Sequence, residues 1–130
     1  MTDTNQAKRP LSPHLTIYRP QLTSVLSILH RITGIALLLA VILIVIWFGA
    51  VALGPYYFNL IDTVFDHILV RLILVSATWA IWYHTCTGVR HLIWDAGYLL
   101  EIKWINPTAY VVLFSSFSLT ALTVCISWIG

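Results

Sequence analysis

The residue most suited to chemistry is His84, the only imidazole in an uncharged run from Leu72 to Val89. An ionisable side chain inside an apolar helix is costly to keep and faces a protein interior or a cavity. A neutral imidazole there is an ordinary axial ligand for haem iron. It can equally be a histidine bonded to a carbonyl or hydroxyl of a neighbouring helix, and spacing alone leaves both readings open. His91 follows seven residues later on the same helical face, about 10 Å away along the axis. That spacing is too long for both rings to reach one iron. It suits one ligand at depth and one polar group near an anionic substituent at the surface. Arg90 beside it reads as an interfacial anchor. Gly88, one turn after His84, could admit a flat ring system or a neighbouring helix close to the backbone.

A second group, Ser27, His30 and Arg31, opens the first apolar segment. Ser27 and Arg31 are one turn apart and share a face. A hydroxyl donor and a guanidinium together are what a quinone needs: one bonds a carbonyl oxygen and the other stabilises the reduced, anionic form. The plainer reading is a helix start with a snorkelling arginine. His30 points to a neighbouring face. Asp95, just past the second segment, could pair with Arg31 or Arg90, relay protons, or be solvated in a loop. Trp94, Tyr98 and Trp104 read as interfacial aromatics. Cys86 and Cys125 sit apart in apolar runs and form neither a disulfide framework nor a zinc motif.

The elements that must position these residues are membrane helices. Of 130 residues, 59% are hydrophobic and 9% charged, far from the roughly 25% charged residues of soluble domains. The net charge of +2 gives no argument for nucleic acid. The expected fold is all-α, an integral membrane protein of three transmembrane helices over about 23–53, 64–95 and 106–129. A polar arm, 1–22, precedes the 23–130 anchor domain. Pro10, Pro13 and Pro20 discourage helix in the arm, which lacks the apolar core of a signal peptide. Gly54-Pro55 ends the first helix, with Tyr56, Tyr57 and Phe58 as an aromatic belt. Asn106-Pro107 marks the start of the third. Lys8, Arg9, Arg19 and Arg31 lie at one end of the first helix, and Arg90 and Lys103 flank the second loop. The positive-inside rule then puts the N-terminus in the cytoplasm and the C-terminus in the periplasm of a bacterial inner membrane.

Two stretches together resemble a known family, the cytochrome b556 subunits of succinate dehydrogenase, respiratory complex II. One is Arg9-Pro10-Leu11 followed by Ser27-Ile28-Leu29-His30-Arg31-Ile32-Thr33-Gly34. The other is His84-Thr85-Cys86-Thr87-Gly88-Val89-Arg90-His91-Leu92-Ile93-Trp94-Asp95-Ala96-Gly97. The resemblance covers nearly the whole chain, although the third helix adds only hydrophobic pattern. It implies a haem b-binding anchor of a succinate:ubiquinone oxidoreductase, an enzyme in which this chain is a non-autonomous subunit. His84 would be one axial ligand, with the second from a partner anchor subunit. His30, Arg31 and His91 would lie on the haem propionate side, and Ser27 and Arg31 would bind ubiquinone. The implied partners are a flavoprotein subunit, an iron–sulfur subunit and a second small anchor subunit. The flavin and clusters belong to the first two, since this chain has neither a nucleotide fingerprint nor a cysteine cluster. The alternatives are an anchor of a quinol:fumarate reductase, a haem-free structural anchor, and a small transporter; the last is disfavoured by the lack of internal repeats.

Overall fold

The computed structural model describes residues 17–129; Lys8, Arg9, Pro10, Pro13 and the rest of the arm before residue 17 lie outside the described residues. Four helices follow in order: α1 (Leu22–Leu53), α2 (Pro55–Phe65), α3 (Ile68–Asp95) and α4 (Ile102–Ile129). Three of them, α1, α3 and α4, are long and apolar enough to cross a membrane. The chain is therefore all-helical among the described residues, with three membrane spans, as its composition requires. α3 lies between α1 and α4 and runs antiparallel to both. The N-terminus of α1 and the loop joining α3 to α4 thus share one end of the bundle, called here the histidine end.

Each boundary has a local cause. α1 starts after Pro20, with Gln21 extended. It runs 32 residues, about 48 Å, and stops at Gly54, whose φ of 107° is open to glycine alone. Pro55 then takes the first position of α2, where its missing N–H costs nothing. The aromatics Tyr56, Tyr57 and Phe58 thus stand on a short helix rather than in an open belt. That helix has three faces. Phe58, Ile61 and Phe65 are half-buried toward the bundle; Phe58 lies near Trp47, and Phe65 lies beside Leu43 and Leu74. Asn59, Asp62, Thr63 and Asp66 form a polar face, and Tyr56, Leu60 and Val64 an exposed apolar one.

α3 begins at Ile68, where the His67 ring accepts the Leu69 N–H at 3.3 Å. An exposed Asp66–Arg71 ion pair of 2.7 Å sits beside it. At its other end, Tyr98 N–H donates to Ile93 O and Gly97 N–H to Trp94 O. These two bonds and the positive φ of Gly97 make a Schellman stop. α4 opens at Ile102, earlier than the Asn106-Pro107 signal, so Pro107 lies inside it. Its ring lacks the N–H that would bond the carbonyl four residues back, so α4 forgoes one ladder bond there.

Most large apolar side chains point outward, as they must where the solvent is lipid. The buried core is small: Leu26, Tyr83, Ala109 and Val112, gathered toward the histidine end. Lipid chains are as apolar as leucine, so hydrophobicity does not drive these helices together; close packing and interhelical hydrogen bonds do. Small residues let α1 and α3 approach, including Thr33, Ala40, Ala80 and Thr87, all buried. The Tyr83 hydroxyl donates to Leu26 O at 2.9 Å across that seam. Trp82 Nε1 donates to Thr123 Oγ1 at 2.9 Å between α3 and α4. Arg90 turns inward, donating to Thr108 Oγ1 at 3.0 Å and Ile105 O at 2.8 Å. The arginine that reads as a surface anchor is 5% exposed and ties α3 to α4. Tyr83→Phe removes the bond to Leu26, so thermal unfolding of the purified protein in detergent should show a loss of about 1 kcal/mol; an unchanged midpoint would mean the hydroxyl contributes nothing.

Candidate functional site

The site grows from a stripe of α1. Ser27, His30, Arg31 and Gly34 stand at i, i+3, i+4 and i+7, the spacing that puts side chains on one side of a helix. One edge of the stripe turns toward α3. There the His84 ring stacks on His30, with centroids 3.9 Å apart and planes 14° from parallel. His91 continues the column 5.5 Å from His30. The other edge carries Arg31, which is exposed and has no ion-pair partner among the described residues. Ser27 is half-buried beside it. The fold thus brings all five sequence-expected site residues to one end of the α1–α3 pair. Asp95 lies at the same end, exposed and paired with neither Arg31 nor Arg90.

The contacts of His84 fix its chemistry. Its Nδ1 is 3.2 Å from His30 O and 3.3 Å from Thr33 Oγ1. The Thr33 hydroxyl gives its own proton to His30 O at 2.9 Å. Both oxygens therefore present lone pairs to the ring, which assigns the proton to Nδ1. Nε2 is left with a free lone pair and makes no hydrogen bond among the described residues. A backbone carbonyl holding the Nδ1 proton is the arrangement that orients a metal-ligating imidazole and raises its basicity. The histidine thus has the neighbouring-helix bond and, on its other nitrogen, the free ligand that the sequence set as alternatives.

Two glycines shape the space. A Cβ on Gly34 would lie 3.2 Å from His84 Cε1, so glycine there makes room for the ring. A Cβ on Gly88 would meet nothing within 4 Å, which leaves a notch on α3 one turn from His84. The roles of Thr33 and Gly34 are not visible in the sequence, though both follow closely on His30-Arg31. Threonine and glycine three and four residues from a histidine are the available signal. His91 donates from Nδ1 to Thr87 O at 2.8 Å, and its Nε2 is likewise free. The His30 Nδ1 is buried without a partner, an orphan that a bound polar group would satisfy. Among the described residues no three His, Cys, Asp or Glu side chains converge as a metal cluster. The free Nε2 of His84 could give a metal one ligand from this chain, a donor of the kind that haem iron accepts. His84, Gly34 and the orphaned His30 nitrogen fit that group.

Comparison with known proteins shows the family. Residues 5–123 match the family described as succinate dehydrogenase/fumarate reductase transmembrane subunit. The succinate dehydrogenase cytochrome b556 subunit of Rickettsia conorii is 45% identical over 94% of this chain and 98% of its own length. That of Paracoccus denitrificans is 40% identical over 99% of both chains. A cytochrome b560 subunit from Marchantia polymorpha is 38% identical over 89% of this chain and 88% of its own. The bacterial relatives point to an inner membrane for a chain with three apolar spans. The resemblance seen in the two motifs is thus borne out over nearly the full length: the chain belongs to the succinate dehydrogenase/fumarate reductase transmembrane subunit family, as a membrane anchor subunit of the cytochrome b type.

Proposed function

We propose that this chain is the haem b-binding anchor of a succinate:ubiquinone oxidoreductase, supplying one axial ligand and part of the quinone-reduction site. The observation that carries the reading is the free Nε2 of His84, set opposite an Nδ1 held by the α1 backbone. His84 is the ligand from this side, and a second anchor subunit brings the other. Haem held there would supply a one-electron redox centre. His30 and then His91 continue the column from His84, with ring nitrogens uncommitted to this chain. With Arg31 they meet the propionate carboxylates. Gly34 keeps the α1 backbone close to the ligand ring, and Thr33 fixes its tautomer.

Ser27 and Arg31 bind ubiquinone at the edge of the same stripe. The Ser27 hydroxyl donates to a quinone carbonyl oxygen. The Arg31 guanidinium, fixed in charge at any physiological pH, lowers the energy of the negative oxygen formed as electrons arrive. Two electrons and two protons complete the quinol. The electrons come from succinate by way of a flavoprotein and an iron–sulfur subunit, which dock at the histidine end. That end is cytoplasmic by the distribution of Lys and Arg, so protons are drawn from the cytoplasm.

Three measurements test this. A dithionite-reduced minus oxidised spectrum of the purified complex should show a b-type band that is lost or shifted in an intact His84→Ala complex. An unchanged band would remove the haem assignment and leave only the anchor role. Gly34→Val should perturb the same band without preventing assembly, because the added methyls press on the ligand ring; an unaltered spectrum would show that the ring does not need that space. In Ser27→Ala the kcat/KM for ubiquinone should drop about tenfold, the worth of one hydrogen bond to a group gaining charge. Unchanged quinone reductase kinetics would exclude Ser27 from the site.

A further inference from the structure

Arg90 poses an electrostatic problem that its helix ties do not solve. The residue is 5% exposed; its guanidinium lies 4.2 Å from the Trp94 ring centroid and donates only to the uncharged oxygens of Thr108 and Ile105. No acidic group pairs with it among the described residues, whose ion pairs are Asp66–Arg71 and Glu101–Lys103. A buried cation without counter-charge is among the most expensive arrangements in a protein interior. Arg90 also lines a slot of roughly 410 Å³ in the seam between α3 and α4. Its walls include Trp82, Cys86, Val89, Val111 and Leu119, and are almost wholly apolar. Leu99 borders the slot in the α3–α4 loop with a φ of 59°, a backbone state that a bulky side chain rarely takes and that gathers at ligand clamps.

An occupant that answers both observations is apolar along its length and anionic at the histidine end. A quinone is apolar but brings no charge to Arg90. Haem is excluded by position: Cys86, Val89 and Ile93 line the slot on the opposite side of α3 from His84 and His91, about half a turn around the helix. A phospholipid from the surrounding leaflet has the right form. We propose that the α3–α4 seam is a phospholipid site, with an acyl chain in the slot and the headgroup phosphate against Arg90. Arg–phosphate contacts are charge-assisted and use the guanidinium donors that Thr108 and Ile105 leave free.

The test is native mass spectrometry of the purified complex in detergent, titrated with palmitoyl-oleoyl phosphatidylglycerol or with the matching diacylglycerol, which lacks the phosphate. The Val89→Phe/Val111→Phe double variant fills the slot from two positions that are 50% and 63% exposed, so the bundle need not repack. Wild type should hold one more phosphatidylglycerol than the slot-filled complex at equal subunit composition, and should prefer it to diacylglycerol. Arg90→Gln should weaken retention about tenfold, the loss of one charge-assisted bond. Equal lipid counts in the wild-type and slot-filled complexes would overturn the proposal, as would indifference to the phosphate. A slot covered by a partner helix gives the first of these outcomes. Should Arg90→Gln fail to assemble, the slot-filled variant decides alone.

Discussion

Everything at the histidine end depends on where the Nδ1 proton of His84 goes. An imidazole buried among helices must place one N–H, and here two α1 oxygens take it: the carbonyl of His30 and the hydroxyl of Thr33. That contact sets the distance between α1 and α3, the tautomer of the ring and the direction of its free nitrogen. Gly34 is needed because the helices are drawn this close. The stacking of His30 on His84 follows from the same approach. A structural bond and a ligand are usually rival accounts of a membrane histidine. In this chain the first would be the condition for the second, since only a ring held by one nitrogen can offer the other in a fixed direction.

The bundle shows how a chain with few charges stays assembled in a solvent as apolar as itself. Its interhelical ties are directional: a tyrosine hydroxyl to a carbonyl, an indole to a threonine, a guanidinium to a carbonyl in the first turns of α4 and a hydroxyl. Of the other buried hydroxyls, Ser116 and Thr120 bond carbonyls of their own helix and hold nothing across the seams, and Thr87 Oγ1 has no partner among the described residues. Some polar residues in these helices therefore join helices, and others do not. Counting polar residues in a span would not separate the two.

Much of this was legible in the sequence, and the exceptions have physical causes. Long uncharged runs marked three spans, because charge in hydrocarbon is penalised at any position along a helix. The i, i+4 relation of Ser27 and Arg31 survived folding since helical spacing is local. Thr33 and Gly34 could not be given roles from local pattern, since their work depends on the register of α1 against α3. Arg90 was misread for the same reason: an arginine one turn from a helix end has the same spacing whether it snorkels or turns inward, and only the position of Thr108 on another helix decides. α2 was hidden because Gly-Pro followed by three aromatics reads as an interfacial loop, and eleven residues hold only three turns of periodicity.

The three faces of α2 make this connection intolerant of one class of change. Phe58, Ile61 and Phe65 face the bundle, and the polar and lipid-facing stripes flank them on either side. A single inserted or deleted residue turns everything beyond it by about 100°. For a helix divided into three, that is nearly one whole face. A deletion would bring a carboxylate or amide toward Trp47, and an insertion would swing an aromatic ring onto the polar face. Substitutions within a face keep the arrangement, whereas any change of length scrambles it. The loop between the first two spans is thus constrained in length as strictly as a coiled-coil heptad, although it crosses no membrane.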